Sequence, residues 1–132
     1  MFLQDLDVGH AAEKVICHEF EYQGKPVFPT EGKNDFDFYL PTGQSCEAKL
    51  DVRSLATQYA VIETPSLKRQ ADFYFHTLCY TLVFDNKTYH RLYNSGKIVK
   101  IGDYQYDGRI IPKAEMRTSG IYLDKFIRHL TP

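Results

Sequence analysis

Two stretches of alternating residues, Asp35-Phe-Asp-Phe-Tyr-Leu40 and Ser45-Cys-Glu-Ala-Lys-Leu-Asp-Val52, decide how this chain should fold. In both of them apolar and polar side chains alternate, which is typical of half-buried β-strands. Pro41-Thr42-Gly43-Gln44 separates them, and its glycine can adopt the positive φ that a short hairpin loop with a bulge requires. The pattern therefore predicts a β-hairpin.

The register of this hairpin follows from its apolar faces. To bury both faces on one side, opposed residue numbers must add up to an even total, and a three-residue loop over 41–43 makes that total 84. Asp37 then lies opposite Glu47. Two opposed carboxylates repel each other unless a cation or a proton lies between them.

A divalent cation would resolve this repulsion. Oxygen ligands suit Mg²⁺, which takes one or two carboxylates and completes its shell with waters and substrate phosphate oxygens. Lys49 projects from the same strand face as Glu47, where its ammonium could orient an attacking water or stabilise charge on phosphorus. The alternative is a solvated sheet face with a cross-strand ion pair. Asp35 and Asp51 share this face, either as further ligands or as ordinary surface acids.

The rest of the chain predicts an α/β (α+β) fold in which helices flank a mixed sheet. A first amphipathic helix is expected from Asp7, its N-cap, to about Tyr22. Glu13 lies on the shoulder of its apolar stripe, where it faces either a cleft or solvent. The further expected elements are strands at 58–64 and 71–84, a helix at 85–95 ending before Gly96, strands at 97–101 and 109–111 paired around Asp107-Gly108, and a helix at 121–130.

Length and composition narrow the class of protein. The 132 residues fit one domain, and 43% hydrophobic with 25% charged residues indicates a folded chain. No apolar run is long enough to span a membrane and no secretory signal is visible, so we expect a cytoplasmic protein. The three cysteines suggest reduced thiols, and neither a disulfide framework nor a zinc pair. The net charge of −1 leaves a polyanionic partner open.

Asp37-Phe-Tyr-Leu-Pro-Thr-Gly43, followed by Glu47-Ala48-Lys49, resembles the signature of the PD-(D/E)xK, or restriction-endonuclease-like, nuclease superfamily. The spacing and the intervening Leu-Pro-x-Gly are similar to those of phage Holliday-junction resolvases. Phe36 stands where the name of the motif has Pro. Glu13 matches an additional acidic residue that many members carry in the preceding helix. The resemblance covers roughly residues 7–80.

The resemblance implies a restriction-endonuclease-like core and a Mg²⁺-dependent DNA nuclease, with Mn²⁺ as a substitute and no organic cofactor. Asp37, Glu47, the Ala48 carbonyl and Glu13 would hold the metal, while Lys49 positions or activates water. Hydrolysis would leave 5′-phosphate and 3′-hydroxyl ends. Glu63 and Gln70 are possible supporting residues around this site, together with Asp35. Glu63 could instead cap the loop before Pro65. Gln70 and Tyr74 also have the spacing of the QxxxY motif of RecB-like members, although Tyr74 reads better as core.

Several alternatives remain open at this stage. Candidate contacts to DNA phosphates, each of which could instead be a solvated charge, are Lys25, Lys33, Arg53, Lys68, Arg69 and Lys87. A resolvase that cuts two strands would be a homodimer. The rivals are a non-catalytic module that keeps the fold and binds DNA or protein, and a nuclease acting on RNA. A phage origin, and with it the host cytoplasm, would agree with the resolvase-like spacing.

Overall fold

The computed structural model describes residues 2–30, 36–101 and 106–130, without the side chains of 2–10, 53, 100, 101, 106 and 107. The expected mixed α+β fold is confirmed, with four α-helices in the described part of the chain. Its elements are α1 (Phe2–Tyr22), β1 (Phe28–Pro29), β2 (Phe38–Tyr39), β3 (Ser45–Leu50), β4 (Tyr59–Glu63), β5 (Phe73–Thr77), β6 (Thr81–Asp85), α2 (Asn86–Ser95), β7 (Lys97–Ile101), β8 (Tyr106–Pro112), α3 (Lys113–Ser119), β9 (Ile121–Tyr122) and α4 (Leu123–Arg128). Two 3₁₀ turns, Val52–Ala56 and Thr64–Leu67, flank β4.

The strands form two sheets. The main sheet has the order β1-β2-β3-β5-β6-β9, with β3 and β5 parallel and the other pairs antiparallel. The second sheet is antiparallel and has the order β4-β8-β7. The strand predicted at 58–64 is therefore confirmed, but it belongs to the second sheet.

The central strands of the main sheet are covered on both faces, although alternation predicted half-buried strands. On one face α1 and α4 pack their apolar stripes against Phe38 and Phe75. The other face carries α2, α3 and the second sheet, which bury Tyr74 and Phe84. Consecutive residues of β5 from Tyr74 to His76 are buried for this reason. Glu47 and Lys49, neighbours of Tyr74 and His76 in the parallel register, thus lie on the face that the second sheet approaches.

Two boundaries differ from the sequence-based expectation. The first helix begins at Phe2, because residues 2–8 contain no proline or glycine that would interrupt it, so Asp7 is inside the helix and is no N-cap. Asp107-Gly108 is inside β8, opposite Lys100 and Val99, and the connection to β7 falls at 102–105, outside the described residues.

The C-terminal part of the chain also differs. The segment predicted as one helix at 121–130 begins as β9, which completes the edge of the main sheet, and only then becomes α4. Helix α3 was not predicted, because in its seven residues Met116 alone is a large apolar side chain and no periodicity can be detected.

Candidate active site

The hairpin formed by β2 and β3 has the predicted register. Phe38 pairs with Cys46 and Tyr39 with Ser45, so opposed residue numbers add up to 84. The Leu40 N–H donates to the Gln44 carbonyl at 3.0 Å, which closes the loop over 41–43. Gly43 has a φ of +88°, the conformation that the loop was expected to require. The sequence therefore predicts the scaffold of the site correctly.

Asp37 precedes β2 and is held against β3 by its own side chain. Its Oδ2 accepts a hydrogen bond of 2.7 Å from the Ala48 N–H. A continued ladder would give that N–H to the carbonyl of Phe36, but the Phe36 carbonyl accepts from the Thr30 hydroxyl instead. The N–H and C=O of one strand residue point to the same side. The Ala48 carbonyl consequently lies on the edge of β3 where Asp37 is bound.

Glu47 is half-buried and its charge is poorly compensated. Among the described residues, its Oε1 is a buried atom without a hydrogen-bond donor, and the Arg69 Nη1 lies 4.0 Å away. Burial, followed by the negative charge of Asp37, raises the pKa of Glu47 to about 7, although the Arg69 guanidinium acts in the opposite direction. A carboxyl that stays protonated near neutrality is a place where a divalent cation would replace the proton.

Glu13 of α1 belongs to the same electrostatic environment. Its charge is one of those that raise the pKa of Glu47, and it also raises the pKa of the Cys17 thiol, after the larger effect of burial. Asp37 acts on Cys17 in the same direction. The carboxylates of α1, of the segment before β2 and of β3 therefore act on shared neighbours.

The donor set fits Mg²⁺, because it consists of oxygen atoms and includes a buried acceptor, the Glu47 Oε1, that has no hydrogen-bond donor in the described part of the chain. However, the described residues contain no group of three or more His, Cys, Asp or Glu side chains close enough to enclose a metal ion. Mg²⁺ usually keeps several waters and does not need a complete protein cage. The site thus fits a cation held by few protein ligands.

Lys49 and Glu63 form an ion pair beside Glu47. The Lys49 Nζ lies 2.8 Å from the Glu63 Oε2, with side chains 40% and 30% exposed. Glu63 ends β4 and makes no side-chain capping bond to the turn that follows, so the capping alternative is not observed. Glu63 instead contacts the lysine of the predicted signature.

The loop between β4 and β5 brings Arg69 to the site. Its guanidinium lies 6.0 Å from the ring centroid of Phe36, and its carbonyl accepts a 2.8 Å hydrogen bond from the Tyr74 hydroxyl. Tyr74 is on a strand and buried, as the core interpretation predicted. The Gln70 amide donates to the Leu67 carbonyl, which braces the loop.

The other predicted cations are exposed or bonded elsewhere in the described structure. Lys68 and Lys87 are exposed. The Lys25 ammonium donates to the carbonyls of Ile127, Arg128 and Leu130 at 2.6–2.8 Å. These bonds use all three of its donors at the end of α4. Asp35, Lys33 and the Arg53 side chain lie outside the described part.

The structure also contains a buried polar network that the sequence did not predict. Asp51, expected to be a metal ligand or a surface acid, is 5% exposed, and its Oδ2 lies 2.9 Å from the His76 Nε2. The His76 Nδ1 lies 2.8 Å from the Tyr89 hydroxyl. A histidine inside the apolar segment 73–79 was the available signal, because a buried imidazole needs partners.

Comparisons of this chain with protein-family models, curated proteins and solved structures found no match. Among the described residues, no helix combines the length and the apolar character that crossing a membrane requires.

Proposed function

We propose that this chain is a Mg²⁺-dependent DNA nuclease with a restriction-endonuclease-like core, as the PD-(D/E)xK resemblance implies. The observation that carries the proposal is the state of Glu47: its Oε1 is buried without a donor among the described residues, and burial, followed by the charge of Asp37, raises its pKa. The order of helix α1, the hairpin of β2 and β3, and a parallel neighbour β5 agrees with this proposal. Burial of a carboxylate oxygen without a donor is costly, and a bound cation would reduce that cost.

In this proposal Asp37, Glu47 and the Ala48 carbonyl hold Mg²⁺, together with Glu13. When bound, the ion would stabilise negative charge on the phosphate and the leaving oxygen. Lys49 presents its ammonium on the same strand face, where it orients the attacking water or stabilises charge that develops on phosphorus. The products would be 5′-phosphate and 3′-hydroxyl ends.

Arg69 and Lys68 are the cations that we propose to contact the DNA backbone. Arg69 is about one-third exposed and stands next to Glu47, so a phosphate at the site would lie within reach of its guanidinium. Lys68 is its exposed neighbour. We omit Lys25 from the DNA-binding set, because its ammonium is used by the end of α4.

A non-catalytic module that binds nucleic acid or protein is the second candidate. Two observations favour it: Lys49 is paired with Glu63, and Arg69 partly compensates Glu47. A site neutralised by its own ion pairs could support binding without cleavage.

Cleavage assays separate these candidates. The purified protein is incubated with labelled linear, nicked, single-stranded and four-way-junction DNA, and with RNA, in Mg²⁺, Mn²⁺ or EDTA. We expect metal-dependent DNA cleavage that falls at least about 100-fold in Glu47→Ala and in Lys49→Ala, because each removes a group worth several kcal/mol in the transition state. The DNA that is cut best would identify the biological substrate. The mass of the complex with that DNA, measured by analytical ultracentrifugation, would test the homodimer.

Two exposed residues provide matched controls: Glu115→Ala removes a carboxylate and Lys14→Ala an ammonium. Both should cut like the wild type. Binding of DNA without cleavage in either metal would reject the enzyme and favour the binding module.

A further inference from the structure

The buried network of Asp51, His76 and Tyr89 joins four parts of the fold. The three side chains are 5%, 0% and 1% exposed. Asp51 follows β3 directly, His76 lies in β5 and Tyr89 in α2. The Asp51 Oδ2 also accepts a 2.7 Å hydrogen bond from the Val61 N–H, which belongs to β4. Through this carboxylate, the main sheet is bonded to the second sheet.

The network lies directly beside Lys49 and its partner. His76 is the neighbour of Lys49 in the parallel register of β3 and β5. Glu63 follows Val61 by two residues on β4, about 7 Å along the strand and on the same face. The backbone bond that holds Val61 against Asp51 therefore also determines where the Glu63 carboxylate meets the Lys49 ammonium.

An ion pair as exposed as that of Lys49 and Glu63 cannot by itself hold two long side chains in one geometry. The position of Glu63 must come from its strand, and the bond between Asp51 and Val61 fixes that strand against β3. Proteins in which well-packed apolar side chains replace a buried charged pair are often equally stable. Stability alone therefore does not explain why Asp51 is buried here.

We infer that Asp51 and His76 are positioning residues, which set the place of the Lys49 ammonium through β4 and Glu63. The inference rests on the proposed nuclease function, because it assigns a role to the lysine of that site. His76 acts through Asp51: an ionised carboxylate only accepts hydrogen bonds, so the His76 Nε2 donates and holds Oδ2 toward Val61.

Three variants test the inference by kinetics. His76→Leu removes the donor to Asp51, whereas His76→Gln keeps an amide donor that can replace Nε2. Leu92→Ala removes a buried side chain of the same core outside the network and controls for general loss of packing. We expect His76→Leu to lower kcat about 10-fold or more with little change in KM, His76→Gln to recover most of the loss, and folded Leu92→Ala to keep the wild-type kcat.

The same change in a Lys49→Ala background gives the sharpest readout. Residues that act as a unit are not additive, so His76→Leu should lower the residual activity no further. A further loss of the same size, or an equal loss of kcat in Leu92→Ala, would mean that the network only stabilises the fold. If His76→Leu does not fold, Tyr89→Phe replaces it, since it removes only the outer hydrogen bond.

A second measurement does not depend on cleavage. The ¹H–¹⁵N signal of the Lys49 ammonium, assigned with Lys49→Arg, reports whether Glu63 holds it. We expect the signal to broaden by faster exchange with water in Glu63→Gln and in His76→Leu, and to persist in His76→Gln. If the wild type cuts no DNA, the proposed function fails and this signal decides the inference alone. An unchanged signal in His76→Leu would overturn the inference even if the enzyme cuts DNA.

Discussion

Glu47 and Asp51 are two acids on the same face of one strand and its extension, four residues apart, and their surroundings are opposite. Asp51 accepts hydrogen bonds from the backbone N–H groups of Ser54 and Val61 and contacts His76. Glu47 has a buried oxygen without a donor in the described structure. An acid whose oxygens are satisfied by the protein serves the fold, whereas an unsatisfied acid is suited to a ligand.

The difference arises from what lies next to each end of β3. Asp51 is covered by the 3₁₀ turn Val52–Ala56 and by β4, which both turn N–H groups toward it. Glu47 lies where the ladder between β2 and β3 stops, beside Asp37. The backbone pairing between β2 and β3 stops at this point, so side chains make the contacts between the two segments.

The largest expected effect is on stability, in Asp51→Ala. The change leaves the N–H groups of Ser54 and Val61 and the buried His76 ring without their acceptor, which should lower the free energy of unfolding by about 4 kcal/mol. Glu47→Ala removes a desolvated charge and should not destabilise the protein comparably. Urea unfolding at pH 7.5 in EDTA measures both. Equal losses in the two variants would contradict the distinction between the two acids.

The second prediction uses the pKa of Glu47, which the folded protein raises to about 7. Because the folded state holds this proton more tightly than the unfolded state, its stabilising effect is full below about pH 4.5 and is lost as pH rises to 7. In EDTA, the wild type should therefore lose about 2 kcal/mol relative to Glu47→Gln between pH 5 and pH 8.

Urea unfolding of both proteins across this range measures that loss. Saturating Mg²⁺ at pH 8 should then raise the Tm of the wild type but not that of Glu47→Gln, since the ion binds the deprotonated carboxyl. If the free energy of unfolding depends on pH in the same way for both proteins, the pKa of Glu47 is not raised in the folded state.

The hairpin could be predicted from sequence because its information is local. Alternation defines the two faces of β2 and β3, Gly43 permits the loop, and both together determine the register. The same reasoning predicts that Asp37 lies next to β3 and that Lys49 shares a strand face with Glu47. These relations depend on residues within about ten positions of one another.

The surroundings of Asp51 could not be predicted in the same way. Parity places Asp51 on the face of Glu47, but it does not tell whether water or another sheet covers that face. The answer depends on His76 of β5 and on Tyr89 of α2, which lie 25 and 38 residues after Asp51 in the chain. Arg69 reaches Glu47 through a similar long-range contact.

The smallest expected effects on stability come from changes at two stacked tyrosines. Tyr89 belongs to the buried network of Asp51, and Tyr74 lies beside the acidic site at Glu47. The rings of Tyr74 and Tyr89 are 4.3 Å apart and nearly parallel, so a Phe at either position keeps the stack. Tyr89→Phe removes the hydroxyl that bonds His76, in the satisfied network. Tyr74→Phe removes the hydroxyl that bonds the Arg69 carbonyl and the Ala71 N–H, beside the acidic site.

Each change should cost about 1 kcal/mol of unfolding free energy, the usual net value of one hydrogen bond, with Tyr89→Phe the larger because His76 is fully buried. The two should differ in where they act. Hydrogen exchange of the Ala71 amide should become faster in Tyr74→Phe and stay at the wild-type rate in Tyr89→Phe, because only the first loosens the loop that carries Arg69. Faster exchange at Ala71 in both variants would show that the stack couples the acidic site to the buried network, and that the two regions are not independent.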